Sequence, residues 1–383
     1  MMASKISFVV GGMPTGYPGG GVDVIFKLAY KLSEDGFDVS ILSLKNIDEY
    51  TRERESKIPT INEIKLMAGR LVFRNNYFYK SFLWLIKKIG NIDYDYSILK
   101  DVRVRFVDSR TIDGENFDII IAAGGYLTAI YADKYLKMNR NAKGYYIIFH
   151  SEDNPAYIKD INRTYSYPLQ KIVINRVEES KFKKYRPKFM PCYVDLGSYH
   201  IIEAIEDRNP RRILVPLINK RGKGTQNALA AIGLALKEKP DLEIYGFGNM
   251  TADEIPKSIR YRYLPTGHEL LQLYNKAAIF VLPSEIEGFS IPTAEAMACG
   301  AAVVATDCGG PREFVEHNVN GLIVPVKDPE AIKDGILKLV TDNKLRVKLA
   351  RKGNRSIQAY TLDNMYNRFK DIIITKQHAN RKA

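Results

Sequence analysis

The sequence predicts two doubly wound α/β domains, an expectation that three observations carry. Short β-branched runs alternate with helical stretches, the pattern of parallel sheets covered by helices. The alternation breaks at a polar stretch, residues 203–212, and then restarts. A length of 383 residues with 45% hydrophobic content supplies two cores, at ~150 residues per domain, and excludes a disordered chain.

The strands of the first domain are expected at 5–10, 38–43, 102–107, 118–122, 144–149 and 171–174, each a short apolar run. Those of the second are expected at 212–218, 242–245, 278–282, 301–305 and 322–324. Between them the helices carry start and stop signals. Thr225 is placed as the cap of one with Leu229, Ile232 and Leu236 on one face and Pro240 beyond its end. The boundary is set at 195–210, dividing a domain of residues 1–200 from one of 201–360. Residues 45–100 mix Phe73, Tyr77, Phe82 and Trp84 with Arg74, Lys80, Lys87 and Lys88. They read as an amphipathic helix, with its aromatics either in the first core or against a membrane surface or lipid acceptor.

Composition removes several classes. Cys192, Cys299 and Cys308 form no CxxC or Cys/His cluster of metal spacing and read as reduced thiols. The first residues enter a strand without a signal-peptide pattern, and no apolar run approaches the ~20 residues of a spanning helix. A cytoplasmic protein is expected, with the inner face of the membrane as a further location. The net charge of +13 is concentrated at the end: from Lys344 onward, eleven Lys or Arg face Asp363 and Asp371, a net +9. That region reads either as a solvated helix face or as a peripheral contact with anionic lipid. No nucleic-acid recognition motif accompanies it, and no nucleic-acid partner is expected.

Residues 282–300 carry the chemistry. A strand ends at Pro283, a tight loop follows, and a helix starts near Ser290 with Pro292 in its first turn and Gly300 past its end. A helix start of this kind offers unpaired amides to a phosphate. Glu287 in the loop and Glu295 in the helix can face one crevice, where carboxylates suit sugar hydroxyls. Spacing alone also allows a loop cap for Glu287 and an exposed salt bridge for Glu295.

The run Pro283-Ser284-Glu285-Ile286-Glu287-Gly288-Phe289-Ser290-Ile291-Pro292-Thr293-Ala294-Glu295-Ala296-Met297-Ala298-Cys299-Gly300 resembles family 4 of the retaining glycosyltransferases. The signature of that family is two glutamates separated by seven residues, in the form P-S-x-x-E-G-F-G-x-P-x-x-E-A-M-A-x-G. The resemblance continues through Ala302 to Gly310, Glu313, Asn320 to Pro325 and Asp328-Pro329. Upstream it takes in Leu242 to Gly248 and Leu270 to Tyr274. It extends from about Arg212 to Glu330 and is thinner in the first domain. It implies the GT-B fold, with an acceptor-binding first domain, a nucleotide-sugar-binding second domain, and a segment, 361–383, that packs back on the first.

By this resemblance Glu295 binds the nucleotide ribose and Glu287 meets the donor sugar near the reacting carbon, where it can stabilise developing positive charge. The diphosphate is received around Gly288, Phe289, Ser290 and Ile291 with help from the helix dipole. Lys223 matches the phosphate-binding lysine. The family's arginine five positions earlier is replaced by Ile218, so Lys220 or Arg221 stands in for its charge. Gly248 matches the glycine turn near the nucleotide. In the first domain the glycine cluster containing Gly20 and Gly21 is a phosphate or acceptor contact, and His150 at a strand's carboxyl end reaches the donor sugar.

The expected reaction is retaining transfer from a nucleotide-diphosphate sugar, UDP- or GDP-linked, to a glycan or lipid-linked acceptor in cell-surface polysaccharide or glycoconjugate synthesis. No cofactor or metal is expected, since no D-x-D pair lies in a donor-loop context. A front-face route, with the leaving phosphate aiding deprotonation of the acceptor, matches the lack of a nucleophile and base pair. A sugar-nucleotide epimerase and a non-catalytic nucleotide-sugar-binding subunit are the alternatives on the same fold.

Overall fold

Residues 4–11, 20–45, 99, 101–112, 114–152 and 155–374 are described by a computed structural model of the chain. They form two compact units. The first holds the residues up to Val173, with Phe182–Lys188 and those from Phe369 onward, and the second holds Ile174–Lys181 and Phe189–Arg368. The aromatic and basic stretch at 46–98 and the last residues, 375–383, lie outside the described residues.

In the first unit β1 (Lys5–Val10), β2 (Asp38–Lys45), β3 (Arg103–Asp108), β4 (Ile119–Ala123), β5 (Lys143–Ile148), β6 (Gln170–Val173) and β7 (Lys188–Phe189) form a sheet of order β3-β2-β1-β4-β5-β6-β7. The pairs from β3 through β6 run parallel, for example Phe8 beside Ile41 and Ile121. Its described helices are α1 (Gly20–Glu34), α2 (Tyr126–Met138) and α3 (Ile158–Tyr165). Parallel strands are covered on both faces, which is why β4 reads IIIAA and is buried along its whole length.

The second unit begins with the short α4 (Arg176–Lys181). Its sheet contains β8 (Arg212–Leu217), β9 (Glu243–Gly248), β10 (Ile259–Tyr263), β11 (Ile279–Leu282), β12 (Ala302–Thr306) and β13 (Leu322–Val324) in the order β10-β9-β8-β11-β12-β13. Around it lie α5 (Thr225–Glu238), α6 (Gly267–Lys276), α7 (Ile291–Ala298), α8 (Pro329–Thr341) and α9 (Asn343–Ile357). The last helix, α10 (Leu362–Ile373), starts in this unit and ends in the first, where Phe369 stacks on Phe8 with centroids 6.0 Å apart. Among the described residues no helix is long and apolar enough to cross a membrane.

Several features depart from the sequence reading. Thr225 is the first residue of α5 and not its cap; Gly224 holds that place in a left-handed conformation. The Thr225 hydroxyl instead donates to the Ile218 carbonyl at 2.8 Å and accepts from its amide at 2.9 Å, closing the loop after β8. The buried face of α5 is also narrower than expected, built on Ala228, Ala231, Ile232 and Ala235, with Leu229 and Leu236 only partly covered. The strands β7, only two residues long, and β10 were not anticipated, and β10 has a plain cause. It lies at the sheet edge, where Arg260 and Arg262 interrupt the apolar pattern.

A buried cation sets the spacing of two helices that matter below. The fully buried Arg208 guanidinium donates to the Cys299 carbonyl at 2.6 Å, the Ala277 carbonyl at 3.1 Å and the Glu203 carbonyl at 2.8 Å. It thereby serves the unpaired carbonyls at the ends of α6 and α7 together.

Gly224 lets α5 start against β11. A Cβ there would lie 1.9 Å from the Pro283 carbonyl oxygen, and its φ is +65°. The expected outcome for Gly224→Ala is therefore a loss of ~2 kcal/mol or more in urea unfolding, from the left-handed penalty plus a clash with backbone. An unchanged midpoint would show that the loop yields freely.

Candidate active site

The sheet order of the second unit creates a crevice. From β8 the chain leaves toward β9, and from β11 toward β12, so the two loops part at the carboxyl ends of neighbouring strands. Ligands of open parallel sheets bind at such switch points. The loop after β8 carries Arg221 and Lys223; the loop after β11 carries Glu287 to Ser290.

These loops are joined. The Lys223 ammonium donates to Glu287 Oε1 at 2.8 Å, and the Ser284 hydroxyl donates to the same oxygen at 2.7 Å. The amide of Glu285 donates to the Gly222 carbonyl at 2.8 Å, a second tie between the loops. Glu287 is strapped on its other side as well. Its amide donates to the Cys308 carbonyl at 2.9 Å, and its carbonyl accepts from Gly310 at 3.0 Å. Close approach dictates the glycine: a Cβ on Gly310 would lie 2.8 Å from the Phe289 nitrogen. Burial first, then the neighbouring Glu287 charge, pushes the Cys308 thiol up to about 12, so it stays protonated.

Glu295 stands on α7, buried, where its Oε2 accepts from the Tyr274 hydroxyl at 2.9 Å. The exposed salt bridge that spacing allowed is thus replaced by a buried hydrogen bond. Tyr274 comes from α6, whose start is fixed by a Thr266–Glu269 capping box. Its ring is enclosed by Tyr199, Phe247 and Phe280 at 5.8, 6.0 and 5.8 Å. Burial, followed by the Glu295 charge, holds the phenol far above its usual pKa and keeps it a donor.

The start of α7 has no side-chain cap. Ser290 occupies the cap position with φ +73° and makes no capping bond, because its hydroxyl pairs with that of Thr293 at 2.8 Å. Phe289 turns its ring into a cluster with Phe314 and Tyr360, 4.8 and 5.7 Å away. The main chain from Gly288 to Ile291 is therefore what this segment offers to a ligand, together with the helix dipole. Gly248 closes β9 against β8, since a Cβ there would lie 2.0 Å from the Leu217 carbonyl oxygen. Ile218, where the family has arginine, is held by Thr225, and Arg221 three residues on is exposed.

The structure thus brings Lys223, Glu287, Gly288, Phe289, Ser290, Ile291 and Glu295 together around α7, with Arg221 on the adjoining loop. Gly20, Gly21 and His150 belong to the first unit. There a Cβ on Gly21 would lie 3.1 Å from the Phe149 ring, beside the exposed His150, whose Nδ1 is 3.2 Å from the Ser151 carbonyl oxygen. Gly20 is the exposed first residue of α1. Sequence reasoning assigned no role to Ser284, Asn175 or Tyr274. Of these, Tyr274 could have been flagged, as an aromatic with a polar tip in an otherwise apolar helix face.

Near His150 lies a further titratable group. Glu152 accepts from the Tyr146 hydroxyl at 3.4 Å, and its amide donates to the Tyr165 hydroxyl at 3.1 Å. Burial raises its carboxyl to about 7, against the pull of bonds from the Tyr146 hydroxyl and the Tyr126 amide. A carboxyl raised on folding favours its protonated form in the native state. Its contribution is full below the unfolded value, declines as pH rises, and is gone above about 7. Wild type and Glu152→Gln should unfold at similar temperatures at pH 5, with the variant more stable by pH 8; a pH-independent gap would contradict this.

Residues 219–356 match the family model described as glycosyl transferases group 1. The chain is similar to the N,N'-diacetylbacillosaminyl-diphospho-undecaprenol alpha-1,3-N-acetylgalactosaminyltransferase of Campylobacter jejuni, 23% identical over 302 residues, 71% of this chain and 77% of that one. It is also similar to the D-inositol 3-phosphate glycosyltransferase of Salinispora tropica, 35% identical over 115 residues, 30% of this chain but only 24% of that one. Anabaena HepE, solved in complex with UDP and glucose, matches 97% of this chain and 100% of that one with a TM-score of 0.68 at 14% identity. The fold is GT-B.

Proposed function

We propose that this chain, whose residues 219–356 match the group 1 glycosyl transferases, moves a sugar from a nucleotide-diphosphate sugar to a glycan or lipid-linked acceptor, retaining the anomeric configuration. The observation that carries this reading is the meeting of Lys223, Glu287 and the open start of α7, with Glu295 held by Tyr274 one helical segment further on. The UDP and glucose named with HepE favour a UDP-sugar, with a GDP-sugar as the other candidate. The diphospho-undecaprenol in the name of the Campylobacter relative favours a lipid-linked acceptor, as in cell-surface glycoconjugate synthesis.

In this reading Glu295 takes the ribose hydroxyls, and Tyr274 holds the carboxylate in place for them. The diphosphate meets the amides at the start of α7 and the Lys223 ammonium, which leaves or shares its bond to Glu287. That cation and those amides supply the charge stabilisation, so we propose turnover without a divalent metal. Glu287 then faces the donor sugar. In the front-face step the bond from the anomeric carbon to the phosphate oxygen breaks as the acceptor oxygen adds on the same side. The leaving phosphate takes the acceptor proton.

A panel of nucleotide sugars tests the reaction. Nucleoside diphosphate should appear slowly with donor alone and faster with acceptor, also in the presence of a chelator. Binding without any cleavage would point to a binding subunit, and epimer formation without acceptor to an epimerase. Among variants, Glu295→Ala should raise the donor KM about tenfold, while Glu287→Ala should lower kcat by ~10²-fold. Wild-type kinetics in both would sink the assignment.

We further propose a peripheral contact between α9 and anionic lipid. Its inner face buries Arg346, Leu349, Ala350, Gly353 and Ile357, while Lys344, Lys348, Arg351, Lys352 and Arg355 are exposed. Of these, Arg351 meets Glu206 at 2.6 Å. Charges of one sign on one helix face suit a negative surface, each worth ~1 kcal/mol near it. Because α9 is part of the core, substitution is the right test and truncation is not. Lys344→Glu with Lys348→Glu and Lys352→Glu should abolish binding to phosphatidylglycerol vesicles, and equal binding would remove the proposal.

A further inference from the structure

We infer that Asn175 is a positioning residue for the donor loop: its side-chain amide holds the Gly288 carbonyl so that the amide of Phe289 is presented at the start of α7. This rests on the donor reading proposed above and adds to it a residue outside the signature that carried the resemblance.

Asn175 lies two residues past the end of β6, immediately before α4, and is 1% exposed. Its Nδ2 donates to the Gly288 carbonyl oxygen at 2.6 Å, and its Oδ1 accepts from the Glu178 amide at 2.8 Å. The two partners fix the orientation of the side-chain amide, since one is an acceptor and the other a donor. Glu178 lies in the first turn of α4, so Asn175 caps that helix with one atom and grips the donor loop with the other.

The grip has a geometric consequence. In a planar trans peptide the C=O and the following N–H point in opposite directions. A Gly288 carbonyl turned toward Asn175 therefore turns the Phe289 N–H away from it. The neighbouring bonds prevent this peptide from rotating. Glu287 is strapped to Cys308 and Gly310 on one side, and on the other the Phe289 ring is packed against Phe314 and Tyr360. The Tyr360 hydroxyl donates to the Glu313 carbonyl at 2.6 Å, and Glu313 Oε2 accepts from the Arg176 amide at 3.1 Å. Both residues at the start of the α4 segment, Asn175 and Arg176, are thus bonded into the frame of the donor loop. An amide preset in this way meets phosphate charge without reorganising, which is where such donors gain their strength.

One substitution separates the two jobs of this side chain. Asn175→Asp keeps an oxygen for the Glu178 amide and so keeps the helix cap, but sets a second oxygen against the Gly288 carbonyl. UDP and GDP binding by calorimetry, uridine and guanosine binding, and the unfolding midpoint should be measured for wild type, Asn175→Asp, Asn175→Ser and Glu295→Ala. The expected result for Asn175→Asp is a loss of roughly tenfold or more in nucleoside diphosphate affinity, with nucleoside affinity held within about twofold. Asn175→Ser, which can cap α4 but does not reach Gly288, should lose less than Asn175→Asp. Unchanged diphosphate affinity in Asn175→Asp would overturn the inference. So would a parallel loss of diphosphate and nucleoside affinity that follows the fall in midpoint. Glu295→Ala separates the two levels. If it leaves both diphosphates and both nucleosides bound as in wild type, the donor reading itself fails; if it weakens them while Asn175→Asp does not, only the role of Asn175 fails.

Discussion

The contact between Lys223 and Glu287 ties the two loops that leave the centre of the second sheet in opposite directions. Each loop is shaped around the other. Gly222 and Gly224 adopt left-handed conformations so that the lysine loop can turn beside Pro283 and Ile286, and Gly310 is bare so that the strand-like stretch at Glu287 can lie on it. A largely buried ion pair contributes little by itself to stability, because desolvation of the two charges offsets their attraction. Its importance is positional: it places a cation and a carboxylate side by side at the start of an uncapped helix before any ligand arrives.

Around this contact the two helices that frame the site are fixed from behind. Arg208 gathers carbonyls from the ends of both α6 and α7, so that the Tyr274 hydroxyl and the Glu295 carboxylate meet at hydrogen-bonding distance. A buried guanidinium is costly to desolvate, and here each of its nitrogens is matched by an oxygen acceptor. Stability and function draw on the same bonds. The residues that anchor the donor loop, Asn175, Phe314 and Tyr360, come from three separate parts of the chain, and their agreement on one peptide is what makes its orientation definite.

Much of the fold was legible because parallel strands buried on both faces read as short apolar runs. The runs at 5–10 and 322–324 coincide with β1 and β13, and the others lie within three residues of the observed strands. The edge strand β10 escaped notice because alternate arginines are tolerated where one side of a strand is not covered. The donor loop was legible for a different reason: glycines and a proline at fixed offsets mark a strand–turn–helix, whatever the chemistry. What could not be read were the partners. Tyr274 and Asn175 are ordinary residues at ordinary positions that only the tertiary fold brings to Glu295 and Gly288, while Ser284 reaches Glu287 within one loop. Ser290 is instructive in the same way. The family form has glycine there, and its φ of +73° shows why, while the serine hydroxyl is offset by its bond to Thr293.

The central claim is that the Lys223 charge, held by Glu287 in the free protein, serves the diphosphate of a nucleotide donor. It is tested most directly by calorimetric titration of UDP and GDP, alongside the corresponding nucleosides, into wild type and Lys223→Met. The account predicts that the nucleoside diphosphate bound by the wild type loses about tenfold or more in affinity, as for a charge-assisted hydrogen bond, while the nucleoside is bound as before. Equal diphosphate affinity in the two proteins would contradict it.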